Sequence, residues 1–150
     1  MKKYIGIKNI EAEPMNLGDY NIYRGWKIPE NENPNDEGYL VKYPDGYESW
    51  SPKKVFEEAY RSFDGGMSFG MAVELLKSGH KVSRKGWNGK NQHIELATHV
   101  SYVTPEGVDV NVNHKEMGNK AIAFVGTSGV QLGWLASQAD MLSEDWIVVE

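Results

Sequence analysis

The feature that most restricts this chain is the break at Ser62-Phe63-Asp64-Gly65-Gly66, where a helical pattern ends, a glycine pair interrupts it and Met67 begins a fresh pattern. In a chain of 150 residues that break leaves two short pieces, residues 1–63 and 67–150. A large multidomain enzyme is excluded. At roughly sixty residues the first piece is marginal alone, so docking on the second piece or on another chain is expected. Hydrophobic residues make up 40% and charged residues 25%, which is enough apolar content for both pieces to pack rather than stay disordered.

In the first piece, Tyr4 to Ile10 has strand-like Tyr/Ile content, and Asn16 with Asp19 can cap a short helix through Tyr23, closed by Gly25. A hairpin follows, with strands Tyr39 to Tyr43 and Tyr47 to Trp50 joined by Pro44-Asp45-Gly46. Ser51-Pro52 then offers a capping hydroxyl before a proline at the first helical position, with Val55, Phe56, Ala59 and Tyr60 on one face. The acidic stretch Glu30 to Glu37, broken by Pro29 and Pro34, reads as a solvated loop.

In the second piece, Ser68 caps a helix in which Phe69, Ala72, Val73 and Leu76 recur at helical spacing up to Gly79. Expected strands are His80 to Lys85, Gln92 to Tyr102, Asp109 to Asn113, Ala121 to Val125 and Gly129 to Trp134. A short helix from Ser137 and a final strand Trp146 to Val149 complete the piece. The expected class is α+β, a mostly antiparallel sheet with one main packed helix, preceded by a small α+β module containing a hairpin.

Several functions are disfavoured at once. With no cysteine, neither disulfides nor thiolate metal sites can form. Met1 to Lys8 is basic but lacks the apolar stretch of a signal peptide, and the longest purely apolar run, Ala121 to Val125, is too short to span a bilayer; a cytosolic protein is expected. The net charge of -5 opposes wholesale binding to a nucleic-acid polymer. Its distribution matters more: Lys77, Lys81, Arg84, Lys85 and Lys90 lie in a stretch without a carboxylate, so a small anion can still find a site.

The most informative segment is Ser83-Arg84-Lys85-Gly86-Trp87-Asn88-Gly89-Lys90. Asn-Gly alone is ordinary hairpin chemistry, and on spacing that reading stands level with a functional one. The functional reading has glycines admitting a ligand to the backbone, cations cradling phosphate and an indole offering its face to a base. A second cluster runs from Gly133 to Trp146 and places Trp134 and Trp146 around Asp140, Glu144 and Asp145. Ser137 with Asp140 fits a capping box, and for Asp140 and Trp146 a structural role is the better reading. Trp134, beside a glycine, is the better stacking candidate, and Asp145 can accept from ribose hydroxyls.

Other motifs carry little. Asp109-Val110-Asn111-Val112-Asn113 imitates the start of a calcium loop, but His114 and Lys120 occupy the glycine and closing-glutamate positions, and the alternating valines read as a strand. His80, His93, His99 and His114 have no helical metal pairing, and neither a Gly-x-Ser-x-Gly elbow nor a phosphate loop occurs. Gly126-Thr127-Ser128-Gly129 is a hairpin turn before it is a phosphate site. No catalytic constellation, metal site or cofactor is expected.

Met67 to Ala72, Leu76 to Gly79, Val82 to Lys90 and Trp134 to Trp146 together resemble the second Thoeris anti-defence family of phage proteins, over about residues 67–150. Residues 1–63 resemble small phage proteins of unassigned role. The resemblance implies a non-enzymatic sponge acting in the host cytoplasm. Its ligand is a glycosidically cyclised ADP-ribose isomer, captured before it reaches its immune effector, and some relatives hold cyclic oligonucleotides of another defence system at separate sites. It also implies a homotetramer with ligand between subunits. The residues carried over are Phe69, Arg84, Gly86, Trp87, Asn88, Trp134, Ser137 and Asp140, with Asp145 and Trp146 closing the motif. The expected division of labour has Trp87 and Trp134 sandwiching adenine, Arg84 and Lys85 neutralising pyrophosphate, and Asn88 with Asp140 or Asp145 reading sugar hydroxyls. Two rivals stand beside it: a hydrolase using Glu144 with His80 or His93, and a structural phage adaptor whose tryptophans form subunit contacts.

Overall fold

The computed structural model describes residues 1–99, 101–110 and 120–150. The chain divides into two compact units, Met1–Arg61 and Ser62–Glu150, and both are α+β with antiparallel sheets.

The first unit contains β1 (Glu11–Pro14), α1 (Leu17–Tyr23), β2 (Gly38–Lys42), β3 (Glu48–Pro52) and α2 (Lys53–Ala59), with strand order β1-β2-β3. Asn16 caps α1, its side-chain oxygen accepting from the Asp19 N–H at 2.7 Å. The hairpin turns where the Gly46 N–H donates to the Tyr43 carbonyl at 2.8 Å, with Gly46 at φ +85°, a conformation a side chain would strain. Tyr20, Leu40 and Val41 form the buried apolar set.

Three expectations for this unit need correction. Tyr4 to Ile10 is not a strand: pairing starts at Glu11 opposite Lys42, beyond which β2 gives way to the turn and leaves the earlier residues without a partner. Ser51 does not cap α2, because it lies in β3 opposite Tyr39; Pro52 holds the cap position with no side-chain hydrogen bond. Val55 is exposed, whereas Phe56 stacks on Tyr39 at 4.1 Å and on Tyr60 at 4.9 Å.

The second unit contains α3 (Phe69–Lys77), β4 (Lys81–Arg84), β5 (His93–Ala97), β6 (Tyr102–Val103), β7 (Asp109–Val110), β8 (Ala121–Gly126), β9 (Gly129–Leu132), α4 (Gln138–Leu142) and β10 (Trp146–Val149). Five strands form one antiparallel sheet in the order β10-β4-β5-β8-β9, and β6 pairs with β7 separately. Ser68 caps α3, which buries Ala72, Leu75 and Leu76 against Val82, Ile94, Met67 and Trp146. Burying such side chains contributes about 1.5–3 kcal/mol each, the main favourable term for a unit of this size.

Gln92 to Tyr102 is not one strand, since β5 stops at Ala97, opposite the first residue of its partner β8. β7 takes up Asp109 and Val110, and the remainder of the expected Asp109 to Asn113 strand, with His114, lies outside the described residues. β9 ends at Leu132 because Gly133, at φ +86°, bulges the chain so that its N–H and that of Trp134 both donate to the Ile122 carbonyl, at 3.0 and 2.9 Å. That bulge aims Trp134. No helix among the described residues is long and apolar enough to cross a membrane.

Candidate functional site

The end of β4 delivers Arg84 to an eight-residue connection, residues 85–92, leading to β5. The Lys85 N–H donates to the Asp145 carbonyl at 3.1 Å and the Trp87 N–H donates back to the Arg84 carbonyl at 3.2 Å, which turns the indole over the sheet. Asn88-Gly89 is not a two-residue hairpin turn. A separate turn closes at Gly89–Gln92, where the Gly89 N–H is held by the Gln92 side-chain oxygen at 2.9 Å and Asn91, not Gly89, takes the positive φ of 59°.

Trp87 and Trp134 join one aromatic cluster with Phe69, Phe124 and Trp146. Trp146 is its centre: it is 0% exposed, lies 5.5 Å from Phe69, 5.5 Å from Trp87 and 6.4 Å from Trp134, and donates its ring N–H to the Asp140 carbonyl at 3.0 Å. Trp87 and Trp134 are half-buried, and their rings meet edge to face at 6.0 Å and 70°. A base between two indoles needs parallel rings roughly 7 Å apart, twice the stacking distance. Within the chain, therefore, these rings support each other and leave a partly open face rather than a slot.

Beside the aromatics lies an ionic cluster. The Arg84 Nε donates to Asp145 Oδ1 at 2.9 Å and Nη2 to Oδ2 at 3.4 Å, while Nη1 donates to Asp140 Oδ1 at 2.9 Å. Ser143 donates to Asp145 at 2.7 Å. Ser137 and Asp140 complete the capping box of α4, the Ser137 hydroxyl donating to Asp140 Oδ2 at 2.8 Å and accepting from the Asp140 N–H at 3.1 Å. One guanidinium thus ties β4 to the entry of α4 and the start of β10. With two carboxylates around it, its charge is more than balanced locally, although the stretch from Lys77 to Lys90 itself holds no carboxylate.

These contacts reset the carboxyl groups. The Arg84 hydrogen bond, followed by that of Ser143, holds Asp145 below the usual carboxylate range despite burial. For Asp140 burial pulls upward, but hydrogen bonds from Ser137 and Arg84 outweigh it and its pKa is also lowered. The Arg84 guanidinium is raised, chiefly by Asp145 and then Asp140. Because both acids titrate lower folded than unfolded, they contribute stability that is complete above an ordinary carboxyl pKa of about 3.9 and is lost as the pH falls through their folded values. Urea titrations of this unit should therefore give a stability flat between roughly pH 7 and 5 and falling below about 4. A stability that rises on acidification through that window would contradict the arrangement.

Of the remaining residues, Phe69 lies against Trp134 at 6.4 Å, and the Gly86 backbone N–H adds a small further pull that lowers the Asp145 pKa. Lys85, Asn88 and Lys90 are exposed on the connection, and their side chains make no hydrogen bond or ion pair among the described residues. Glu144 is exposed and makes no hydrogen bond to His80 or His93; His93 faces the Asn91 carbonyl at 2.7 Å and His80 meets the Phe63 ring at 5.4 Å. No group of three or more potential metal-ligating side chains occurs among the described residues. Phe124, edge-on to Trp87 at 5.5 Å, was not singled out from sequence. Its signal was its position inside the apolar run Ala121 to Val125.

Residues 67–149 match the profile of the family described as the Thoeris anti-defense 2-like domain. A protein of Bacillus phage SP01 named Thoeris anti-defense 2 is 40% identical over 86 residues, an alignment covering 55% of this chain and 94% of that protein. The matched stretch holds the aromatic cluster, the Arg84 cluster and the connection between β4 and β5, all inside the second unit. The chain belongs to the Thoeris anti-defense 2-like family.

Proposed function

We propose that this protein is an anti-defence sponge that binds a glycocyclic ADP-ribose signal, holds it without breaking a bond, and so keeps it from a Thoeris effector. The observation that carries the reading is the partly open face of Trp87 and Trp134, bordered by a connection whose cations Lys85 and Lys90 have no carboxylate partner among the described residues. An indole face attracts a base, and ammonium groups attract a pyrophosphate. The family and the named phage relative supply the defence context.

In this reading Arg84 is a positioning residue. It fixes the connection to Asp140 and Asp145, while Lys85 and Lys90 supply the positive charge and Asn88 meets sugar hydroxyls. A homotetramer with ligand between subunits would supply the second wall that a single Trp87–Trp134 edge pair lacks. Incubating the protein with the nucleotide, removing free ligand, and heat-denaturing the complex tests the proposal. Intact nucleotide should be released; altered nucleotide would assign a hydrolase, and undepleted nucleotide an adaptor. Trp87→Ala should weaken binding by about 1–3 kcal/mol, roughly tenfold to a hundredfold by calorimetry. An unchanged affinity would remove Trp87 from the site.

A further inference from the structure

Within the first unit, residues 1–10 run off the edge of the sheet. β1 pairs with β2 only from Glu11, opposite Lys42, and β2 then turns away, so the preceding backbone makes no backbone hydrogen bond among the described residues. This segment carries Tyr4, Ile5 and Ile7 at 89%, 92% and 70% exposure. It has Lys2, Lys3 and Lys8 and no carboxylate. Apolar, strand-forming residues on unpaired backbone form a surface that seeks a partner.

The same unit has an open hollow of about 780 Å³ whose walls include Trp50, Pro52, Asp36, Glu37, Glu57 and Glu58. Lys53 answers Glu37 at 3.1 Å and Lys54 reaches Glu58 at 4.0 Å, so four carboxylates face two ammonium groups and the hollow stays net negative. Its volume lies in the range of cavities that bury a ligand or short segment. Segment and hollow are complementary in charge, and each offers the other apolar surface.

They lie at opposite ends of the sheet. Residues 1–10 leave beside the hairpin turn, with the Lys8 ammonium 5.9 Å from the Tyr43 ring centroid, whereas Trp50 and Pro52 sit towards the end where Gly38 pairs with Pro52. The segment therefore leaves the sheet at the end remote from its own hollow.

We propose that residues 1–10 of one copy seat in the hollow of a second copy, reciprocally, with Tyr4, Ile5 and Ile7 against Trp50 and Pro52 and the lysines among the carboxylates. A reciprocal exchange closes on itself and limits the assembly to a pair at this contact. The pairing is independent of nucleotide binding.

The chain has no cysteine, so single-cysteine variants report without background. Ile5→Cys with one affinity tag and Lys54→Cys with another are mixed and mildly oxidised; both positions are exposed. The expected product is a mixed disulfide joining the two tags, its yield falling several-fold at high salt and in a background of Lys2→Glu, Lys3→Glu and Lys8→Glu. Ile7→Cys in place of Ile5→Cys should give the same product. A preponderance of Ile5–Ile5 cross-links would show the segments pairing with each other and overturn the proposal. So would closure within a single chain in the Ile5→Cys/Lys54→Cys double variant, or no cross-link from either position.

Discussion

Trp146→Ala should lower the stability of the second unit by about 3–5 kcal/mol, the range for deleting a large aromatic side chain from a core. The indole is 0% exposed, touches Phe69, Trp87 and Trp134, and its ring N–H satisfies the Asp140 carbonyl. Alanine would leave a cavity and deprive that carbonyl of its donor. Small domains have about 5–15 kcal/mol in total, so the loss would take about a fifth of the margin at the least and all of it in a marginal unit. Denaturant titration is the measurement, with near-ultraviolet circular dichroism reporting the aromatic packing. Trp87→Ala, at a half-buried ring, should cost markedly less. Equal costs would mean that Trp146 is not the centre of the cluster.

The parts of this fold that could be read from sequence are those set by short-range chemistry. Asn16, Ser68 and Ser137 each cap a helix at the expected place, and the hairpin from Gly38 to Pro52 follows from Pro44-Asp45-Gly46. The two strands that were over-extended share one physical cause. Tyr4 to Ile10 has the residues of a strand but no neighbouring strand, and Gln92 to Tyr102 outruns a partner that begins at Ala121. Strand content is a local property, whereas pairing depends on where another segment ends.

The site was legible to a similar depth. Its residue types were visible, and the structure gathers Trp87, Trp134, Arg84, Asp140 and Asp145 from segments more than forty residues apart. What spacing could not reveal is how those groups spend their interactions. Arg84 lies within a run free of carboxylates in sequence, yet Asp140 and Asp145 reach it from 56 and 61 positions away. A cation isolated along the chain is thereby paired in space, and the unpaired charge passes to Lys85 and Lys90.

That pairing sets the second large effect. Arg84→Ala would strand two carboxylates whose side chains are 14% and 34% exposed. Breaking a fully buried pair costs about 3–5 kcal/mol. Solvent screening at these partly exposed groups reduces the expected loss to about 2 kcal/mol at neutral pH. The loss should shrink as the pH falls below about 4, because protonating Asp140 and Asp145 removes the stranded charges in the variant and the ion pairs in the parent. Arg84→Lys should recover only part of it, since one ammonium cannot span both carboxylates as the planar fork does. Urea titrations of parent, Arg84→Ala and Arg84→Lys at pH 7 and at pH 3 would read all three expectations. A loss independent of pH would assign Arg84 to packing rather than to charge. A fully stable Arg84→Ala that had lost only nucleotide affinity would return it to the ligand as a direct phosphate contact.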